Sequence, residues 1–257
     1  MTLRFEKWQG LGNDFVVVDA LVSPERAERI CDRRFGVGGD GVLCVELDGT
    51  RARMTVWNAD GSRPEMCGNG LRCVVGHLAD ARDHAEGELV VNTDAGDKRC
   101  RFRRAGEGYE VSVAMGRADV GERFAHEHGD RAWSFVPVDM GNPHAVSFDD
   151  HDDADLDGVG PALEEARAGG VNVELCRLVE GVIEVTVWER GVGRTLACGT
   201  GACAVAAAAC AAGLARYDEP IEVRLPGGSL QITVGSADHD VTMVGPAVRV
   251  FAGETAL

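Results

Sequence analysis

Lysine is almost absent from this chain. Among 257 residues only Lys7 and Lys98 carry it, and 42 Asp and Glu face 26 Lys and Arg, for a formal net charge of −16. Such an acidic surface excludes a basic face for nucleic acid or anionic membrane. Long apolar runs are also missing. The longest, Ala202 to Ala212, is too short to span a bilayer. There is no C-x-x-C redox pair, and Met1 to Glu6 carries no apolar signal core. The nine cysteines, an odd number, therefore predict reduced thiols in the cytoplasm rather than a disulfide framework. Arginine in place of lysine, and an acidic run from Asp149 to Asp157 read as a solvated loop, point to work in high salt, where self-repulsion is screened.

What the chain does have is an internal repeat. Cys67-Gly68-Asn69-Gly70 returns as Cys198-Gly199-Thr200-Gly201, an offset of 198 − 67 = 131 residues. The same offset relates Thr55-Val56-Trp57 to Thr186-Val187-Trp188. Two matches in one frame predict two similar halves, each presenting a cysteine at a glycine-rich strand-to-helix junction. A helix N-terminus lowers a thiol pKa from about 8.5, and its first-turn amides bind anions. Gly68, Asn69, Gly199 and Thr200 would supply such amides to a substrate carboxylate. Two opposed acid/base groups are what inversion of a carbon centre needs: one removes a proton and the other delivers one to the opposite face. No cofactor and no metal are required. The C-x5-C and C-x4-C spacings, Cys67 with Cys73 and Cys198 with Cys203, fit structural zinc poorly. The remaining cysteines read as small buried hydrophobes.

Strands are expected at 15–18, 42–45, 54–57, 89–91 and 109–115, then at 135–140, 145–148, 173–178 and 182–188, and finally at 221–225, 230–234, 241–244 and 248–251. Helices are expected at 24–33 behind a Ser23 cap, at 68–81, at Pro161–Ala168 with Pro first, and at 199–212. The last is apolar on every face and must be surrounded. The fold class is therefore α/β (α+β): two pseudo-symmetric domains, each a curved, mostly antiparallel sheet or barrel around a central helix, with the active site in the cleft between them. The junction falls near Gly116 to Gly121. Polar residues cluster beside strand ends: Asn13, Asn58, Asn142, His144, Asn172, Glu189 and Arg190. Singly, each asparagine reads as a turn residue. As a set they suit a substrate with carboxylate and ammonium groups, Arg190 forking onto a second carboxylate and Glu189 holding an ammonium.

The segments Gly10-Leu11-Gly12-Asn13-Asp14-Phe15, Asn58-Ala59-Asp60-Gly61-Ser62, Glu65 to Cys73, Gly141-Asn142-Pro143-His144 and Leu196 to Cys203 resemble the diaminopimelate epimerase family over almost the whole chain. The resemblance implies cofactor-independent epimerisation of LL- to meso-2,6-diaminopimelate, a small dicarboxylic diamino acid, on the lysine pathway, with Cys67 and Cys198 as the two bases. It implies Asn13, His144 and Glu189 around the reacting centre, and backbone at Gly68, Asn69, Gly199 and Thr200 on the proximal carboxylate. Asn58, Asn142, Asn172 and Arg190 would hold the distal centre. It also implies a homodimer and a last strand, 246–257, that returns to the first domain of residues 1–116, leaving 117–245 as the second. Two positions depart from the pattern. Gly41 stands where members often carry Gln, and Arg194 where many carry an acid. Proline racemase-like enzymes share the fold and the two-cysteine chemistry but need no partner for a second carboxylate. A thiolate metal-binding or redox protein is the alternative outside enzymology.

Overall fold

The computed structural model describes residues 2–48 and 51–256; the outermost positions of the expected domain ranges, 1 and 257, lie outside them. The chain divides into two compact units, one of Met1–Val113 with Val244–Leu257 and one of Ala114–Met243.

In the first unit, β1 (Leu3–Gly10) and β2 (Asn13–Val18) form an antiparallel hairpin, and α1 (Pro24–Cys31) leads to β3 (Gly41–Asp48), which runs parallel to β2. The Ser23 hydroxyl accepts from the Arg26 amide and caps α1. Strand β4 (Arg51–Asn58) pairs antiparallel with β3, α2 (Gly68–Ala81) follows, and β5 (Glu86–Thr93) lies parallel to β4. Strands β6 (Gly96–Ala105) and β7 (Gly108–Arg117) complete an antiparallel meander. Nearly every residue of α2 from Gly68 to Ala79 is buried among these strands.

The second unit repeats the plan. After β8 (Asp119–Val120) and β9 (Phe124–His128) come β10 (Arg131–Asp139), β11 (Pro143–Ser147), α3 (Asp155–Ala166) and β12 (Asn172–Val179), which runs parallel to β11. Then β13 (Val182–Glu189), β14 (Gly193–Thr195), α4 (Gly199–Ala211) and β15 (Ile221–Leu225) follow, with β15 parallel to β13, and β16 (Gly228–Val234) pairs with β15. Helix α4 is buried from Gly201 to Cys210, so its alanines let strands approach on all sides. Gly213, at φ 73°, ends it. Finally β17 (Asp240–Thr255) carries the chain back to pair antiparallel with β1. The 131-residue offset recurs in the elements around the cysteines: 172 − 41, 182 − 51 and 199 − 68 relate the starts of β12 to β3, β13 to β4 and α4 to α2.

Two expectations are corrected. The helix expected at Pro161–Ala168 begins six residues earlier, inside the acidic run, and Pro161 lies within it. Leu156, Val159 and Leu163 form its buried face against Trp133 and Phe135. Just ahead of the helix, the Asp152 carboxylate accepts from the Ala154 and Asp155 amides while the Asp155 carboxylate accepts from the Asp152 amide, a reciprocal turn built wholly from acids. Arg194 pairs with Asp157, and Arg177 lies 3.7 Å from Asp153. The run is thus a pinned helix start, and Arg194, the departure from the family pattern, is one of its pins. The strands expected at 241–244 and 248–251 are one continuous strand, β17. No described helix is long and apolar enough to cross a membrane.

Candidate active site

Each unit carries one of the two cysteines and part of the predicted residue set. In both, the cysteine is itself the helix N-cap. Cys67 sits at φ −134°, ψ 114° and its sulfur accepts from the Gly70 amide at 3.4 Å. Cys198 sits at φ −122°, ψ 108° and accepts from the Gly201 amide at 3.3 Å. The helical ladders start at Leu71 N–H to Cys67 O and at Ala202 N–H to Cys198 O. The earlier amide donors, at Gly68 and Asn69 and at Gly199 and Thr200, therefore point out of the positive helix ends, where a carboxylate is favoured.

An asparagine at the start of the second strand of the plan, Asn13 in β2 and Asn142 just ahead of β11, reaches the residue two beyond the cysteine. In the first unit Asn69 Nδ2 donates to Asn13 Oδ1 at 3.1 Å. Behind Asn13, the Asp40 carboxylate accepts from its Nδ2 at 2.7 Å and is held by Arg33, which also bridges to Asp14. Buried Lys7, one of the two lysines, pairs with Asp14 at 2.5 Å. In the second unit Asn142 Nδ2 donates to Thr200 Oγ1 at 3.3 Å, and Thr200 Oγ1 lies 3.5 Å from Cys198 Sγ. Behind Asn142 stands His144, its Nε2 3.2 Å from Asn142 Oδ1 and its Nδ1 2.6 Å from Glu174 Oε1.

The other predicted residues divide the same way. Asn58 is exposed at the end of β4 and donates to Ser62 Oγ. Asn172 is buried; it donates to Pro143 O and accepts from the Arg190 amide at 3.0 Å. Exposed Arg190 gives Nη1 to Gly169 O at 2.9 Å, which leaves most of its five N–H donors for other partners. Glu189 accepts from Thr195 Oγ1. Gly41 has a structural reason to lack a side chain: a β-carbon there would lie 2.6 Å from Trp57 O. A glutamine would require β4 to move.

The two thiols differ in setting. Cys67 is half-buried, whereas Cys198 is 6% exposed. Burial pushes the Cys198 thiol well above its usual range, and the Glu189 and Glu174 carboxylates push it further, against the Thr200 and Gly201 donors. Burial also raises the Glu189 carboxyl, against hydrogen bonds from Thr195 and Cys198. The cysteines read as packing residues are all buried, and burial drives Cys31 to about 11 and Cys73 and Cys100 to about 12.

Sequence reasoning missed Glu174, Asp40, Asp14 and Lys7. Glu174 lies two residues beyond Asn172 in Asn172-Val173-Glu174, and the period of two that puts Asn172 on one face of β12 puts Glu174 on the same face. Lys7 follows Leu3 and Phe5 on the inward face of β1.

A family model described as "Diaminopimelate epimerase" matches residues 5–120 and 136–250. A diaminopimelate epimerase of Synechocystis sp. is 38% identical over 281 residues, covering 99% of each chain. One of Cyanothece sp. is 41% identical over 287 residues, covering 98% of this chain and 99% of that one. Among solved structures, a predicted epimerase from Pseudomonas aeruginosa superposes with a TM-score of 0.77 at 17% identity over 99% of both chains, a likeness of fold.

Proposed function

The chain belongs to the diaminopimelate epimerase family, and from that premise we propose how its residues carry out the inversion. The protein is an isomerase of lysine biosynthesis acting on diaminopimelate. In the proposed mechanism, Cys67 and Cys198 are the two acid/base groups. One takes the α-proton of LL-diaminopimelate and the other protonates the opposite face, giving the meso form. The observation that carries this reading is the pair of thiol N-caps at equivalent positions of two repeated units.

Loss of the α-proton throws charge onto the proximal carboxylate, and the outward amides of Gly68, Asn69, Gly199 and Thr200 receive it. Asn13, His144 and Glu189 order the reacting end. Asn58, Asn142, Asn172 and Arg190 hold the distal carboxylate and ammonium, with the Arg190 guanidinium forking onto the carboxylate. We assign the protein to the cytoplasm as a homodimer, and its acidic, lysine-poor composition to a high-salt interior.

The test is incubation of the reduced protein with LL-diaminopimelate in D2O, in dilute buffer and in molar potassium chloride, followed by NMR. Meso product carrying deuterium at the inverted centre is expected, with the higher rate in molar salt. No α-exchange at either salt overturns the two-base reading, and turnover of proline instead would move the protein to the racemase branch. A higher rate in dilute buffer overturns the salt assignment alone.

A further inference from the structure

The repeat frame exposes a pair of residues that the fold does not ask for. In each unit the second glycine of Cys-Gly-x-Gly presses on a side chain of the third strand in the plan. A β-carbon on Gly70 would lie 2.8 Å from Leu43, and one on Gly201 would lie 2.7 Å from Glu174 Oε1. These partners are equivalent, since 43 + 131 = 174. The parallel strand pairs extend the match. Phe15 pairs with Gly41 and His144 pairs with Asn172, where 41 + 131 = 172. Phe15 and Leu43 in one unit thus become His144 and Glu174 in the other.

Phe15 and Leu43 are core residues at 3% and 0% exposure. The side chains of His144 and Glu174 are wholly buried, and Glu174 Oε2 has no hydrogen-bond partner among the described residues. Burying such a polar pair is costly, and replacing it with apolar groups of like volume is often stabilising. One unit folds with the apolar version, so stability does not explain the polar one. What the polar pair does is reach Cys198: Glu174 to His144, His144 to Asn142, Asn142 to Thr200, Thr200 to the sulfur.

Resting on the two-base reading, we propose that Glu174 is a positioning residue, and that Glu174–His144–Asn142–Thr200 is a hydrogen-bond chain that fixes the Thr200 hydroxyl beside the Cys198 sulfur. Glu174 Oε1 meets His144 Nδ1, His144 Nε2 meets Asn142 Oδ1, and Asn142 Nδ2 donates to Thr200 Oγ1. That leaves the Thr200 hydroxyl hydrogen for the sulfur 3.5 Å away. No proton passes along the chain; it holds the carboxamide and the hydroxyl in place while Cys198 exchanges its proton with substrate.

The test compares the wild type with Glu174→Gln, Thr200→Val and Thr200→Ser in the D2O assay across pH. The groups facing Cys198 are Glu174, Glu189, the Thr200 hydroxyl and the Gly201 amide. Glu174→Gln is expected to lower kcat by ~10–100-fold with KM within about twofold, and to move the alkaline limb of kcat to lower pH, because a neighbouring negative charge is gone. Thr200→Val is expected to move that limb to higher pH, because a donor to the thiolate is gone, and Thr200→Ser to restore it. Wild-type turnover with unmoved limbs in Glu174→Gln and Thr200→Val overturns the chain and leaves the two-base reading standing. Absence of turnover in the wild type overturns that reading itself. Should Glu174→Gln fail to fold, the Thr200 pair decides: a limb that does not move in Thr200→Val sinks the proposal.

Discussion

The two cysteine helices begin alike and are backed differently. In both, a thiol accepts the amide three residues on, and an asparagine from a neighbouring strand meets the side chain two beyond the thiol. Behind that shared layer, the Cys67 side is apolar at Leu43 and Phe15, with charge set to the flank at Asp40 and Arg33. The Cys198 side buries His144 and Glu174. The backbone frame thus places a thiol at a positive helix end twice, while the residues one layer back decide how each thiol is tuned. A duplicated fold supplies symmetric positions, and an asymmetric layer behind them gives the two thiols different surroundings.

The largest effect should come from breaking the symmetry outright. Cys67→Ala and Cys198→Ala are each expected to lower turnover of LL-diaminopimelate by at least ~10³-fold, the scale of losing an acid/base group. Circular dichroism should show the fold intact, because each loss is a single sulfur at a helix cap. Wild-type turnover in either variant would show that the halves are not equal partners in the chemistry.

The comparison is sharpened by writing one half into the other. The double variant His144→Phe, Glu174→Leu copies the pairing that already packs as Phe15 and Leu43. It is expected to lose about 10²-fold in kcat while gaining ~1–4 kcal/mol of stability, as apolar replacement of buried ion pairs often does. Calorimetry alongside the kinetic assay measures both. A drop in melting temperature would mean that the second unit needs the polar pair for folding. Next in size, Arg190→Ala should raise KM for diaminopimelate by about 10–100-fold, since it strips a partner from a bound carboxylate. An unchanged KM would remove Arg190 from the distal end.

Much of this frame was legible before any coordinates. The span of α2 followed from its Cys-Gly-x-Gly start and the burial of α4 from its apolar composition on every face, and the 131-residue offset, seen first in two short motifs, recurs in the starts of β12, β13 and α4. Where the reading failed, the failing residues were charged. Asp155 to Asp157 begin α3 because Asp152 binds the amides of the turn that leads into it and Arg194 pairs with Asp157, which an acidic run does not advertise. Strand β6 hides its inward Cys100 and Phe102 among arginines that pair across to Glu88 and Glu110. Glu174 stayed hidden for another reason: its meaning lies in the contrast with Leu43, and that contrast appears only when the repeat is carried past the motifs into the strands between them.

The smallest effect concerns the far ends of the two helices. Ala208 of α4 is buried among apolar neighbours; the equivalent residue of α2, 208 − 131, is His77, held by Glu6 at 2.7 Å and Asp19 at 2.9 Å. Burial opposes the charged forms of both His77 and Glu6, but their mutual bonds, with Asp19 on the imidazole and with Trp8 and Arg249 on Glu6, outweigh it. His77 is raised and Glu6 is lowered to about 2. A raised imidazole stabilises the fold below its unfolded value of 6.5 and loses that contribution as pH rises through its folded value. A lowered carboxyl stabilises above its unfolded value of 4.5 and loses that contribution as pH falls toward about 2. The clamp therefore contributes most between pH 4.5 and 6.5. His77→Gln should lower the melting temperature there by ~2–4 °C, about 1 kcal/mol, and by less as pH rises above that window. A deficit that stays constant with pH would mean that His77 serves by shape alone, and the far ends of α2 and α4 would then differ in packing rather than in charge.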